Sequence, residues 1–141
     1  MTAVHQLAAI MFTDIVGYTA IMGKDEAAAL QLLEQNRQLH KSAIANFQGK
    51  LLKEIGDGIL ASFSSVSNAI DCAMEIMEKS KDTEGLQLRI GIHLGEVMFK
   101  DNDVFGDGVN IAARIEALAS SGEIPVSYTH LRAHETYLLI S

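Results

Sequence analysis

The chain has 141 residues, 48% hydrophobic and 21% charged, with a formal net charge of −7 and no Lys/Arg-rich run. That is enough chain for one domain with its own core. The acidic balance argues against a nucleic-acid or anionic-membrane surface, either of which would want a basic patch, and leaves room for a small nucleotide held by a few placed cations.

Residues 7–13, LAAIMFT, read as a short buried strand. GYTAIMGKD follows as a turn with at most one helical turn. Asp25 is the expected N-cap of the next segment. There Leu32, Leu39, Ala43 and Phe47 recur at helical spacing, so residues 25–47 form a long amphipathic helix that Gly49 stops. KLLKEIGDGILASF reads as two strands around the hairpin turn Gly56-Asp57-Gly58. Val66, Ile70, Ala73 and Met77 define a second helix, closed by the polar loop KSKDTEG. LQLRIGIHLGEVMF alternates as a strand that turns at Gly95 and returns, and KDNDVFGDG is loop. VNIAARIEALA is a third helix with Ile111, Ile115 and Leu118 on its core side, and GEI begins another strand. The order β-α-β-β-α-β-α-β, with one hairpin in the middle, predicts a ferredoxin-like α/β (α+β) sandwich.

From Val126 the text changes character. VSYTHLRAHET, residues 126–136, has no amphipathic period and resembles the translation of a transposase-type sequencing adapter. The expectation is a partial native domain over residues 1–125, truncated at its C-terminal end, and a non-native tail over residues 126–141. The alternative is a genuine tail with a metal site at His130 and His134.

Cys72 is the single cysteine, so no internal disulfide can form, which fits a reducing compartment. No apolar run approaches the ~20 residues of a bilayer span, and the N-terminus lacks a basic region. A cytoplasmic chain without a signal peptide or membrane insertion is expected.

Two carboxylates carry the chemical interest. Asp14 ends an apolar strand and Asp57 sits in a tight turn. Each has a plain structural explanation, as the cap of a turn or as the Asp of an Asp-Gly hairpin. Brought together at adjacent strand ends, they would suit a pair of hard cations such as Mg²⁺. Two such ions ~4 Å apart clamp the attacking and leaving oxygens of a phosphoryl displacement. Gly17 allows close approach to the turn IVGYT, whose main-chain N–H groups lead into a helix and favour anions. Asn110 and Arg114 lie i, i+4 on one helix face. A solvated face is the plain explanation, although an Asn inside a helix is mildly unfavourable. His93 reads as a satisfied core or edge histidine, Met74, Met77 and Met98 as core filler, and Cys72 as an inert buried thiol.

FTDIVGYT, KEIGDG, RIGIHLGEV and DVFGDGVNIAARIE, in this order and spacing, resemble the catalytic domain of class III nucleotide cyclases, the adenylate and guanylate cyclase family. The resemblance runs from about residue 7 to residue 124. It implies that Asp14 and Asp57 bind two Mg²⁺ (or Mn²⁺), activate the ribose 3′-hydroxyl and steady the triphosphate. It implies that the backbone of Ile15, Val16, Gly17, Tyr18 and Thr19 cradles phosphate oxygens. Lys53 matches the family's base-reading donor and Asp103 its acceptor, the pattern adenine requires. Guanylate cyclases typically carry Glu at the lysine position, so ATP is the implied substrate. Asn110 is implied to orient the ribose or reacting centre, and Arg114 to stabilise transition-state charge.

The family takes the aspartates from one subunit and the base-reading and transition-state residues from the other, which implies a homodimer with equivalent sites. The expected activity is an adenylate cyclase, a phosphorus–oxygen lyase that converts ATP to cyclic AMP and pyrophosphate. A guanylate cyclase or a non-catalytic nucleotide-binding regulatory module are the alternatives. The family's later phosphate-binding lysine would lie beyond Pro125, in the segment that resembles an adapter.

Overall fold

The computed structural model describes residues 4–101, 103–120, 123–129 and 135–140. Its centre is β1 (Val4–Ile15), which is followed by α1 (Tyr18–Lys24) and α2 (Glu26–Asn46). The hairpin β2 (Lys50–Ile55) and β3 (Gly58–Phe63) leads to α3 (Val66–Ser80) and the long β4 (Leu88–Lys100). β5 (Asp103–Phe105), α4 (Asp107–Ala117), β6 (Ile124–Thr129) and β7 (Glu135–Ile140) complete the order. The strands lie as β2-β3-β1-β4-β6-β7, with β5 paired to β4. β4 and β6 run parallel, and the other pairs are antiparallel. The mixed α+β sandwich agrees with the architecture expected from the sequence.

Both faces of the sheet are covered, so β1 is apolar on both sides and its side chains sort by parity. Ala9, Met11 and Ile15 pack with Leu32 and Ile44 of α2 and Ala69 and Ile76 of α3. Ala8, Ile10 and Phe12 turn the other way, towards Leu60, Val97, Val104 and Ala112 of α4. Parity therefore sends Thr13 to the α2–α3 side and Asp14 to the α4 side. α4 sits directly on β4: a Cβ on Gly91 would collide with the backbone nitrogen of Glu116.

Thr13 meets a buried histidine. The His40 Nδ1 lies 2.9 Å from the Asn36 carbonyl, which can only accept, so this nitrogen carries the proton. The other ring nitrogen, Nε2, then accepts from the Thr13 hydroxyl at 2.7 Å. Burial lowers the His40 pKa to about 4, against smaller opposing effects of the Asn36 carbonyl and Glu54. The ring is neutral and ties α2 to β1.

Several local expectations hold. Asp25 caps α2 by accepting from the Ala28 N–H at 3.1 Å. Cys72 is buried, and its thiol is pushed up to about 12 by burial and then by Glu75. His93 is buried, with Nδ1 2.8 Å from Ser127 Oγ. Others need correction. β4 does not turn at Gly95, because β1 is long enough to pair with it without interruption from Leu88 to Phe99, Gly95 lying opposite Ala8. The chain reverses instead at Asp101, which takes φ 53°, so the segment read as loop contains β5. α1 is a helix of 7 residues, longer than the single helical turn expected there. Met74 is 50% exposed and Leu118 67%, so neither fills the core. Part of β6 and all of β7 lie in the segment expected to be a non-native tail, and their strand conformation does not bear on its origin. His130 and His134 lie outside the described residues.

Candidate active site

Strand parity and register assemble one polar cluster beneath α4. Asp14 and Arg89 are register partners across β1 and β4. The Arg89 Nε donates to Asp14 Oδ1 at 3.2 Å and Nη2 to Oδ2 at 3.1 Å. This bidentate contact raises the arginine pKa further. Asp57 reaches the same corner from the β2–β3 turn. Its Oδ2 accepts from the Ile15 N–H at 2.8 Å, which ties the turn to the residue after Asp14.

α4 adds Glu116 to this corner. The residue is 3% exposed, and its Oε1 has no hydrogen-bond partner among the described residues. The Arg89 Nε is 4.0 Å from that oxygen. Burial, and then contact with Asp14, pushes the Glu116 carboxyl up to about 8, while Arg89 opposes the rise. The corner thus holds three acidic groups against one guanidinium, in a partly dry setting where each charge matters.

The turn after Asp14 is shaped as expected for a backbone cradle, with limits. Gly17 takes φ 73°, a left-handed conformation that favours glycine, and caps α1. The Ile15 N–H is held by Asp57, and the Val16 N–H donates to the Gln87 carbonyl at 2.7 Å. Of the expected cradle, Gly17, Tyr18 and Thr19 therefore have N–H groups not committed in this way. The first-turn N–H groups of a helix have no partner within it.

A second group lies further along. The Lys53 Nζ on β2 donates to Asp103 Oδ1 on β5 at 2.9 Å, although the two strands are not ladder neighbours. That bond, and then the Val104 N–H, hold the Asp103 carboxyl below its ordinary range. Asn110 and Arg114 are exposed on α4. At about 100° per residue they lie roughly 200–240° around the helix from Glu116. One protomer therefore turns Asn110 and Arg114 away from its own Asp14 corner.

Arg89 and Glu116 escaped the reading of the sequence. Arg89 stands near the start of a mostly apolar strand, and only the β1–β4 register reveals its partner. Glu116 left a visible trace: with Gly108 and Ala112 it falls on the buried i, i+4, i+8 stripe of α4. A cavity of about 810 Å³ opens next to the corner, lined by Val16, Met74, Met77, Leu86, Arg89 and Ile124 among others. Its lining mixes apolar and polar side chains and includes neither aspartate, so the carboxylate corner is the better candidate for chemistry.

A family model described as the adenylate and guanylate cyclase catalytic domain matches residues 2–138. The chain is 38% identical over 131 residues to a putative adenylate cyclase 3 of Rhizobium meliloti (strain 1021), covering 87% of this chain and 22% of that protein. It is 31% identical over 120 residues to an adenylate cyclase of Streptomyces coelicolor, covering 84% of this chain and 32% of that one. The chain thus spans a minor part of these curated relatives. Among solved structures, an adenylate/guanylate cyclase/hydrolase from Silicibacter pomeroyi matches with a TM-score of 0.81 and 40% identity, over 89% of this chain and 78% of that one. The catalytic core of a rhodopsin-guanylyl cyclase with converted specificity, in complex with ATPalphaS, shares the fold with a TM-score of 0.82 and 24% identity, over 90% of this chain and 80% of that one.

Proposed function

Since the chain belongs to the adenylate and guanylate cyclase catalytic domain family, we propose that it is the catalytic part of a cytoplasmic, homodimeric adenylate cyclase. Among the described residues no helix is long and apolar enough to cross a membrane. The ribose 3′-oxygen of ATP attacks the α-phosphorus and loses its proton. The bond from that phosphorus to the bridging oxygen breaks, and pyrophosphate leaves with the electron pair.

Two divalent cations, Mg²⁺ or Mn²⁺, supply charge neutralisation at the attacking and leaving oxygens when bound. Asp14 and Asp57 fit them as hard oxygen donors at one corner of the sheet. Among the described residues no three acidic, His or Cys side chains form a complete metal cage. The remaining ligands would be substrate phosphates and water, as is usual for Mg²⁺. Asp57 is oriented by the Ile15 N–H, and the turn from Ile15 to Thr19 offers its free N–H groups to phosphate oxygens.

Lys53 and Asp103 satisfy each other without nucleotide. With adenine present, Lys53 donates to a ring nitrogen and Asp103 accepts from the exocyclic amino group. Asn110 orients the ribose, and Arg114 stabilises charge on the phosphates as it builds. The observation that carries the shared site is the helix angle: Asn110 and Arg114 face away from their own Asp14 corner. A two-fold partner brings both halves together twice.

Mixing inactive variants tests this reading. Asp57→Ala and Arg114→Ala should each make almost no cyclic AMP from ATP. Their equimolar mixture should recover about a quarter of the wild-type rate, because half the dimers are mixed and each retains one intact site. No recovery, or equal turnover of GTP by the wild type, would overturn it.

A further inference from the structure

A buried carboxylate oxygen with no hydrogen-bond partner among the described residues needs an explanation, because an unsatisfied buried acceptor costs stability. Glu116 Oε1 is such an atom. It lies 4.0 Å from the Arg89 Nε, just beyond a hydrogen bond, while the same Nε is bound to Asp14 Oδ1 at 3.2 Å. Nη2 is committed to the other Asp14 oxygen. As the chain stands, Asp14 is closed by its own arginine. A divalent cation that takes Asp14 must displace that guanidinium, which is partly exposed, and Glu116 Oε1 lies 4.0 Å from its Nε on the protein side.

Resting on the cyclase reading, we propose that Glu116 is a positioning residue: its unpaired Oε1 receives the Arg89 side chain when Asp14 releases it to a divalent cation. α4 is placed for this role. Gly91 lets the helix backbone at Glu116 rest on β4, two residues along from Arg89 on the same face. The acceptor is therefore held where the helix backbone rests on Gly91, and the movement required of Arg89 is about an ångström at Nε, from 4.0 Å to ordinary hydrogen-bond distance. Glu116 acts on the reaction through Arg89 and touches neither substrate nor reacting atoms.

The test is Mn²⁺ affinity of the nucleotide-free chain, read from the paramagnetic resonance signal of free Mn²⁺. Glu116→Met keeps the volume, removes the acceptor and relieves a buried polar atom, so it should fold at least as well. It should weaken Mn²⁺ binding by roughly tenfold, within the range of coupling between contacting residues. In an Arg89→Gln background the same change should have little effect, because no guanidinium remains to be relocated. Glu116→Gln retains the carbonyl acceptor and should restore most of the affinity. An equal loss in both backgrounds, no loss in either, or a Gln variant as weak as Met overturns the proposal while the cyclase reading stands. Failure of the unsubstituted chain to bind Mn²⁺ without nucleotide would overturn this proposal alone, because the cyclase reading draws its remaining metal ligands from substrate phosphates.

Discussion

Asp14 and Arg89 stand directly opposite each other on β1 and β4, and the guanidinium grips both carboxylate oxygens, at 3.2 and 3.1 Å. The pair is only partly buried, so its own contribution to stability is modest. Its importance lies in competition: the same two oxygens are needed for the divalent ions of the proposed reaction.

Asp57 has separable jobs, as a charge and as an acceptor for the Ile15 N–H. Asp57→Asn keeps an acceptor oxygen and removes the charge. It should leave the melting temperature close to wild type and lower cyclic AMP formation with Mg²⁺ by at least about 100-fold, a loss of the size seen for single electrostatic groups. A thermal melt and a kcat measurement on one preparation check both halves. A variant with near-wild-type turnover would remove Asp57 from the metal site.

Base choice should follow the Lys53–Asp103 pair. Lys53→Glu replaces the donor with an acceptor and leaves adenine's ring nitrogen facing a carboxylate. The ratio of kcat/KM for ATP over GTP should fall by at least about 100-fold, as expected where a site's polar group loses its match. An unchanged ratio would place the reader of the base elsewhere.

His40 makes stability depend on pH. Its folded pKa, about 4, lies below the ordinary 6.5, so the unfolded chain takes up the proton first. This contribution is complete above the ordinary value and is lost as pH falls through the folded one, at about 1.4 kcal/mol per unit. Glu116 has the opposite sign in the metal-free chain, since its carboxyl keeps its proton when folded and costs stability as pH rises from 4.5 towards about 8. The two offset over their shared range. Denaturant titrations should therefore compare wild type with His40→Gln, and the difference in favour of wild type should grow with pH between 4 and 6.5. A difference that does not change with pH would mean that the ring is not held neutral.

Gly91→Ala places a methyl group against the α4 backbone at Glu116. A helix backbone cannot give way as a side-chain tip can. The change should cost about 1–3 kcal/mol, the usual penalty of overpacking, and should lower cyclase activity more than that loss of stability explains. A melt and an activity assay below the melting temperature distinguish the two effects. A silent substitution would show that α4 is free to lift.

The sequence made the element types legible because both periods were clean: Leu32, Ala43 and their neighbours repeat along α2, and LAAIMFT is apolar on both faces of β1. Gly95 misled because a glycine inside an alternating strand reads as a turn, whereas here the length of β1 keeps the ladder intact through it. Leu118 and Met74 misled because apolar character does not reveal where a helix loses contact with its sheet. The motif residues Asp14, Asp57, Lys53 and Asp103 are singled out by the family's pattern. Arg89 and His40 are not, because each matters through a partner on another element, Asp14 across the ladder and Thr13 beneath it. Such pairings depend on register and packing, which no local window of sequence contains.

Thr13 and Asp14 are consecutive, yet one is anchored in the helical layer through His40 and the other looks into the opposite layer. A single peptide unit is thus the whole mechanical distance between the back of the molecule and its carboxylate corner. The Thr13–His40 hydrogen bond therefore fixes the strand backbone one residue before the carboxylate that Arg89 holds.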